Sequence, residues 1–431
     1  NRRTFLTGAA LAPLSAQSTR PPNFLVILSD DQGYHDVGSY GSEIPTPHMD
    51  AIGKRGVRFE RFYAAGPVCT PSRFGLLTGR YPARSHDGLL NALMPPSPKG
   101  LQPGETTIAE VLQRRGYRTA LIGKWHLGAS RPEFLPNQHG FDHFEGFPHG
   151  CIDYFNFTYG GMPSWFRDGK PFQPPPGYST NYLTDQAIRY LGENRDHPFF
   201  LYLPYNAPHY GKAGYDRQSQ QSSNILQAPE EYIKNFSHIA DENRRVYAAM
   251  VSNLDDNIGR LREAVRQNGL EDNTFIIFLS DNGGAPDFGG ANTPLRGRKA
   301  DLFEGGIRVP CMMEWKNRLP AGRVIREPAG GIDLLPTLCA LAKAPLPGPV
   351  DGQDLGPLLF GNRAPDRELY WRTAGGEAYI MANWKYIRQE DGEEFLFDLA
   401  ADPNEATNRI RDVATLRRLK RGLERLKATM P

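Results

Sequence analysis

The fold class is indicated by the stretch Phe24-Leu25-Val26-Ile27-Leu28-Ser29-Asp30-Asp31, in which an unbroken apolar run ends in a serine and two carboxylates. A short continuous run of β-forming residues is typical of a strand that is covered on both faces of a parallel sheet. Two adjacent carboxylates repel one another unless a cation or water lies between them. The end of this stretch therefore indicates either a solvated turn or a cation site.

A second stretch has the same ending. Thr274-Phe275-Ile276-Ile277-Phe278-Leu279 is followed by Ser280-Asp281-Asn282, and the glycines that come next are also typical of a plain turn. Because the carboxyl ends of parallel strands share one edge of a sheet, where α/β folds bind ligands, the repeated ending favours a cation site. Its oxygen donors favour Ca²⁺ or Mg²⁺ over Zn²⁺. The predicted ligands are Asp30, Asp31, Asp281 and Asn282.

Two further predicted strands are also followed by polar residues. The strand at 118–122 leads into Lys124 and His126, and the strand at 198–203 leads into His209. Each of these side chains taken singly is more simply interpreted as structural, but their shared position favours one site. Predicted helices at 106–115, 182–193 and 241–267 alternate with the strands, which is typical of a doubly wound α/β fold.

A single cysteine opens the stretch Cys69-Thr70-Pro71-Ser72-Arg73-Phe74-Gly75-Leu76-Leu77-Thr78-Gly79-Arg80. The stretch predicts a helix with Cys69 at its N-terminus and Arg73 projecting from its first turn. A helix N-terminus lowers the pKa of a thiol and attracts anions, so a nucleophile and an oxyanion could meet here. The alternative is a buried packing residue, as most isolated cysteines are.

The same stretch resembles, without a gap or mismatch, the type I sulfatase signature C-x-P-S-R followed by x-x-x-L-T-G-R. A second family stretch is matched by Gly123-Lys124-Trp125-His126-Leu127-Gly128. The residues at 140–147, followed by Asp153-Tyr154, resemble the branch of arylsulfatase A and N-acetylgalactosamine-6-sulfatase. The resemblance extends from about Asn23 onward. It implies an alkaline-phosphatase-like α/β fold, with a large mostly parallel sheet between helices and a small C-terminal subdomain of antiparallel strands plus a helix.

The resemblance also implies an activity, the hydrolysis of sulfate monoesters, which makes the chain a sulfuric ester hydrolase. In that family the formylglycine-generating enzyme oxidises the cysteine at the position of Cys69, and the hydrated aldehyde attacks sulfur beside one Ca²⁺ ion. The modified residue would itself contact the ion, so Cys69 joins the predicted metal ligands. The sulfate would be held by Arg73, Lys124 and Lys299, while His209 protonates the leaving alcohol and His126 accepts a proton from the hydrate.

Lys299 lies in the stretch from Leu295 to Pro310, which resembles the family segment in which a lysine precedes E-G-G-I/V-R. The stretch departs from the family pattern at Ala300-Asp301-Leu302, and this departure puts the placement of the lysine in question. Arg296 and Arg298 are the rival candidates for its role.

Composition and termini limit the partners. The chain has 431 residues, with 50 basic against 48 acidic side chains, so nothing indicates nucleic-acid binding, and no apolar run reaches the length of a membrane span. Twin arginines in Asn1-Arg2-Arg3-Thr4-Phe5-Leu6 precede a small apolar stretch, which predicts a Tat-type export signal over residues 1–20. The Tat export machinery is then a partner and the location is periplasmic or extracellular; the alternative is a disordered basic tail.

The four cysteines are widely spaced and form no C-x-x-C pair, which argues against a zinc ribbon or a redox dithiol and predicts no particular disulfide. Pro345-Leu346-Pro347-Gly348-Pro349 indicates a linker, and we place a catalytic domain at 21–364 and a C-terminal subdomain at 365–431. In the subdomain we expect strands at 379–381, 384–388 and 394–399 and a basic helix at 414–427.

Residues 163–176 predict a long loop over the site. The aromatic residues Tyr154, Trp165 and Phe166 either stack on a sugar or, as we favour, anchor this loop to the rest of the fold.

Two other functions compete with a sulfatase. The first is a phosphomonoesterase or phosphodiesterase of the alkaline-phosphatase-like superfamily, which needs a Ser or Thr nucleophile and more zinc ligands than the chain offers. The second is a non-catalytic binder of sulfated glycans in which Cys69 stays a thiol. For a sulfatase, the preferred substrates are sulfated polysaccharides or oligosaccharides, with small aryl sulfates as the other class.

Overall fold

The computed structural model describes residues 20–216, 221–361 and 367–430. The predicted export signal at 1–20 lies outside the described residues except for its last position. The predicted boundary between residues 364 and 365 also lies outside them, so the division into two domains stays a proposal.

The strands of the described residues, in chain order, are β1 (Asn23–Ser29), β2 (Val57–Tyr63), β3 (Arg118–Lys124), β4 (His143–Phe147), β5 (Thr158–Tyr159), β6 (Met162–Pro163), β7 (Phe166–Arg167), β8 (Lys170–Pro171), β9 (Phe199–Pro204), β10 (Gly211–Asp216), β11 (Gln221–Ile225), β12 (Thr274–Ser280), β13 (Arg308–Glu314), β14 (Arg323–Ile325), β15 (Ala329–Gly330), β16 (Glu368–Thr373), β17 (Gly376–Met381), β18 (Trp384–Gln389) and β19 (Glu394–Asp398). The α-helices are α1 (Pro47–Arg55), α2 (Cys69–Thr78), α3 (Ile108–Arg114), α4 (Ser179–Glu193), α5 (Glu230–Asn235), α6 (Glu242–Gln267), α7 (Glu304–Ile307), α8 (Leu334–Leu341), α9 (Gly356–Leu359) and α10 (Val413–Lys427).

One large sheet carries the fold. Its strand order is β14-β2-β13-β12-β1-β9-β3-β4-β7-β8, with β15 beside β2. The central strands β12, β1, β9, β3 and β4 are all parallel, while β13 and β7 run antiparallel to their inner neighbours. The predicted α/β class with a large, mostly parallel sheet is confirmed. Because the central strands are parallel, the carboxyl ends of β1, β3, β9 and β12, which the predicted site residues follow, lie at one edge of the sheet.

Strand β1 shows why the apolar runs are unbroken. Leu25 and Ile27 belong to the hydrophobic core that contains α4 and α6 residues, whereas Phe24 and Val26 belong to the core that contains residues of α2, α3 and α8. Both faces of the sheet are thus covered, and every position of the strand must be apolar. Helix starts follow local signals, since Thr107 caps α3 and Asp241 caps α6.

The C-terminal part forms a four-stranded antiparallel sheet, β16-β17-β18-β19, against which α10 packs. The predicted strands and helix are confirmed, and β16 was not predicted. This sheet shares a hydrophobic core with Phe303 and Ile307 of the preceding segment. A buried triad of Lys385, Glu304 and Glu405 joins the two parts, because Lys385 Nζ lies 2.9 Å from Glu304 Oε1 and 2.8 Å from Glu405 Oε1.

The predicted loop at 163–176 is partly regular, since β7 and β8 form a hairpin that extends the main sheet. Tyr154 and Trp165 are buried in the core, and the Tyr154 hydroxyl donates to the His209 carbonyl at 2.8 Å. Trp165 therefore anchors the segment at 163–176 in the core, as we favoured, whereas Tyr154 holds the backbone of His209. In the part of the chain that the structure describes, no helix is both long and apolar enough to cross a bilayer.

Candidate active site

The predicted site residues meet at the carboxyl edge of the central sheet. Asp30 and Asp31 follow β1, Asp281 follows the adjacent β12, and Lys124 ends β3. The next strand end, that of β9, leads into His209. Helix α2 lies under this edge and begins at Cys69, and the segment after β12 brings Lys299.

Asp30 is the centre of a buried charge cluster on the nucleophile side. Its Oδ1 lies 3.5 Å from Cys69 Sγ, and its Oδ2 accepts hydrogen bonds from Lys124 Nζ and, at 3.2 Å, from Arg73 Nη2. Lys124 Nζ also lies 3.4 Å from Cys69 Sγ. Arg73 Nη2 continues the network to Asp281 Oδ2 at 2.9 Å. The sulfur thus lies beside one carboxylate and one ammonium, and Arg73 links that carboxylate to Asp281.

Asp31 organises the opposite side. Its Oδ1 accepts from Asn282 Nδ2 at 2.7 Å, and its Oδ2 accepts from Lys299 Nζ at 2.6 Å. His209 Nε2 lies 3.4 Å from the same Oδ2. The backbone N–H of Asp31 donates to Asp281 Oδ1 at 3.1 Å, and Asp31 has a φ of 58°. This left-handed conformation, uncommon for a residue other than glycine, turns the chain so that both carboxylates face the site.

Burial and neighbouring charges give the two adjacent carboxyl groups, Asp30 and Asp31, very different pKa values. Burial, together with nearby Asp281, raises the pKa of Asp30 to about 7, although Lys124 and Arg73 act against the shift. Burial would also raise the pKa of Asp31, but Lys299 and His209 outweigh it and hold that pKa at about 2. Asp31 is thus ionised at neutral pH.

The thiol of Cys69 corrects one expectation. A lowered pKa was expected at the helix N-terminus, but burial and the Asp30 carboxylate raise the pKa of the Cys69 thiol above its ordinary value. These two effects outweigh Lys124 and Lys299, which favour the thiolate. The unmodified sulfur is therefore held neutral and is a poor nucleophile.

The His126 ring is held through one of its two nitrogens. Its Nε2 donates to the carbonyl of Leu93 at 2.8 Å, which leaves Nδ1 as the acceptor atom of the neutral ring. That Nδ1 is buried and has no hydrogen-bond partner among the described residues. Burial, with Lys124 nearby, lowers the pKa of His126 well below its usual value. Burial also lowers the pKa of His209, whose Nδ1 donates to the Tyr210 carbonyl at 2.8 Å.

The three rival cations after β12 point in different directions. Lys299 reaches Asp31, while the guanidinium of Arg298 pairs with Asp287 at 2.8 Å on the surface. Arg296 lies over the Phe303 ring, 4.0 Å from its centroid, away from the cluster. The departure from the family pattern therefore does not displace Lys299. Ala300 adopts a φ of 78° and donates to the Pro67 carbonyl at 2.9 Å, which fastens this segment beside the cysteine helix.

The oxygen donors fit a hard cation. Ligand atoms of Asp30, Asp31, Cys69 and His209 all lie within 4.8 Å of one another. Asn282 Oδ1 is buried and has no hydrogen-bond partner among the described residues, so it is an oxygen that a cation could satisfy. Carboxylate and amide oxygens are the donors that Ca²⁺ prefers. Which of these residues bind a metal stays a prediction.

Sequence reasoning missed two parts of the site. Thr70 Oγ1 donates to the His126 carbonyl at 2.9 Å and accepts from the Leu93 N–H at 3.1 Å, so it joins three segments. Its position directly after Cys69 was the available signal. The Leu93 carbonyl has no signal in the sequence, because every residue carries one. The four cysteines of the chain are all free and buried.

Comparison with known proteins gives a family model, Sulfatase, that matches residues 22–344. Arylsulfatase J of Mus musculus is 36% identical over 407 residues, covering 87% of this chain and 65% of that protein. Arylsulfatase A of Homo sapiens is 36% identical over 383 residues, covering 82% of this chain and 70% of that protein. The expected similarity to arylsulfatase A is confirmed. The chain spans about two thirds of the length of these curated relatives.

Among solved structures, the crystal structure of Ps i-CgsB is similar over nearly the whole fold. Its TM-score is 0.85 at 33% sequence identity, and the match covers 94% of this chain and 93% of that one. The same protein has been crystallised in complex with k-i-k-neocarrahexaose.

Proposed function

Because this chain belongs to the sulfatase family, we propose that it hydrolyses sulfate monoesters at the site around Cys69. One observation carries the proposal: Cys69 heads a buried helix between the carboxylate of Asp30 and the ammonium of Lys124, at distances of 3.5 and 3.4 Å. The sulfate group of a monoester would bind at this position, because cationic side chains and a helix N-terminus both face it.

For the substrate we propose a sulfated polysaccharide or oligosaccharide. The support is the likeness to Ps i-CgsB, which binds k-i-k-neocarrahexaose in its crystal structure. Small aryl sulfates are the second class, supported by the likeness to arylsulfatases.

The catalytic group would come from Cys69 itself. We propose that the formylglycine-generating enzyme oxidises its thiol to an aldehyde, whose hydrate supplies the nucleophile for sulfur. The support is that the thiol as it stands is buried and held neutral, so it is a poor nucleophile without modification.

A Ca²⁺ ion would be held by the carboxylates of Asp30, Asp31 and Asp281 and by the amide oxygen of Asn282, next to residue 69. When bound, such an ion offsets negative charge on the sulfate and on the nucleophile. The orphaned Asn282 Oδ1 and the close carboxylates support this assignment.

The remaining site residues have two roles: the cationic side chains would bind the sulfate, and the two histidines would transfer protons. Burial alone would lower the pKa values of Arg73, Lys124 and Lys299, but nearby carboxylates raise them above their ordinary values, so the three side chains are cations that would bind the sulfate oxygens. The His209 ring is held through Nδ1, so Nε2 can give a proton to the leaving oxygen only from the doubly protonated ring, a form that the Asp31 carboxylate 3.4 Å from Nε2 favours. His126 is held through Nε2, which leaves Nδ1 to accept one.

Two measurements test the proposal. Peptide mass mapping of Cys69 from a host with the modifying enzyme should show the aldehyde, and Cys69→Ala should abolish turnover of an aryl sulfate. Full sulfatase activity of Cys69→Ala would refute it. Faster turnover of an aryl phosphate than of the matching sulfate would favour the phosphatase alternative, and binding without turnover by fully modified protein would favour the glycan binder.

A further inference from the structure

A pocket with a volume of about 210 Å³ opens beside the candidate active site. His126 is the site residue that lines it, and the remaining lining comes from residues 93–97, Lys99, residues 128–130 and residues 148–149. Nothing in the chemistry described above uses this space. Because it starts at His126, a group held there lies next to the reacting sulfate.

The walls of the pocket are bonded to the cysteine helix. Leu93 accepts from His126 Nε2 and donates to Thr70 Oγ1, and Thr70 in turn donates to the His126 carbonyl. The His126 N–H donates to the Pro148 carbonyl at 3.2 Å. Three separate segments are thereby fixed to the residue that follows Cys69, so the pocket is formed before any ligand arrives.

The lining is mainly apolar, with one charge. Met94 is 63% exposed, and Pro95 and Pro96 beside it are exposed as well. A pocket with apolar walls and few polar groups favours the binding of a ring, one face of which is then removed from water. Lys99 is exposed and forms no ion pair within the described residues, and no carboxylate lies in the described lining. Burial lowers the pKa of His149, so Lys99 is the charged group of the pocket at neutral pH.

We propose that this pocket binds the ring of the leaving alcohol against Met94 and the adjacent prolines, and that Lys99 binds a second sulfate group carried by that ring. The substrate class is then a ring compound with at least two sulfates. This inference rests on the proposed function, since it assumes that the ester sulfate lies at the site around Cys69.

Binding without turnover tests the proposal. In the Cys69→Ala protein, calorimetry would compare ligands with one and two sulfates, namely N-acetylglucosamine 6-sulfate with glucosamine N,6-disulfate and phenyl sulfate with resorcinol disulfate. Lys99→Met should weaken the disulfated ligand of at least one pair about three- to fivefold and leave its monosulfated partner unchanged, as expected for an ion pair with an exposed lysine. Met94→Ser should weaken both ligands of that pair, and the control Lys54→Met, an exposed lysine of α1, should change neither.

The outcomes are distinct. An equal effect of Lys99→Met on monosulfated and disulfated ligands, no effect on either, or no measurable binding of any ligand overturns the proposal. Turnover is not measured here, so a failure of the proposed hydrolysis would show in the activity assay of intact protein and not in this comparison.

Discussion

The Nζ atom of Lys299 lies 2.6 Å from Oδ2 of Asp31, although 268 residues separate the two in the sequence. This ion pair lies close to Cys69, since ligand atoms of Asp31 and Cys69 are within 4.8 Å of one another. It holds an ammonium where the sulfate oxygens are proposed to bind, and it keeps Asp31 ionised, with a pKa of about 2.

Lys299→Met should lower kcat about 100- to 1,000-fold, since a preorganised charge donor to the transition state is lost. The neighbouring Arg298→Met is the matched control, because Arg298 pairs with Asp287 on the surface, and its kcat should stay within about twofold of wild type. Steady-state kinetics on an aryl sulfate measure both. Equal losses in the two variants would mean that the segment, and not the ammonium, is what matters.

Arg296→Met should lower both stability and kcat, because Arg296 fastens the Lys299 segment to the C-terminal sheet. Its guanidinium lies 4.0 Å from the Phe303 ring centroid and 5.1 Å from that of Phe395, and it donates to the Glu405 carbonyl at 3.2 Å. We expect kcat to fall on the order of tenfold through misplacement of Lys299 and the free energy of unfolding to fall by about 1–2 kcal/mol.

The control for that variant is Arg318→Met, since Arg318 makes the same kind of contact with Trp315 at 4.8 Å but does not touch the segment. It should lose stability and keep its kcat. Arg296→Lys should restore part of the activity. A normal kcat in Arg296→Met would show that Lys299 is placed without the arginine.

Ca²⁺ should raise the melting temperature of chelator-treated protein. A ligand at 100 times its dissociation constant adds about 2.7 kcal/mol to the free energy of unfolding. Asn282→Ala should reduce this gain, because it removes the orphaned buried oxygen, whereas Asp287→Asn alters an exposed carboxylate and should not. Thermal melts with and without Ca²⁺ measure this gain in each variant. The same increase in melting temperature in wild type and Asn282→Ala would exclude Asn282 as a ligand.

Glu405 should make stability depend on pH. Burial, with Glu304 nearby, raises its pKa from 4.5 to about 7, even though Lys385 opposes the shift. A carboxyl group with a raised folded-state pKa stabilises the fold fully below pH 4.5, and this contribution is lost as the pH rises through 7. Glu405→Gln mimics the protonated form. Relative to wild type, it should therefore gain on the order of 3 kcal/mol between pH 4.5 and 8 in denaturant titrations; a constant difference would contradict the shift.

Much of the fold was predictable from local pattern. The runs around Leu25 and Ile277 predict buried parallel strands because both faces of a central strand are covered, and the polar residues after them predict one shared edge. The boundaries of β1 and β12 came within one residue. The hairpin of β7 and β8 was not predictable, since two-residue strands have no period to detect.

The sequence by itself determined which residues could form the site, because strand ends and the signature at Cys69 are local features. Only the tertiary structure decided that Lys299, and not Arg296 or Arg298, faces Asp31, and that the Cys69 thiol is held neutral at a helix N-terminus. Both outcomes depend on burial and on charges brought together from distant parts of the chain. Coulomb interactions and desolvation act through space, so a linear pattern carries no measure of them.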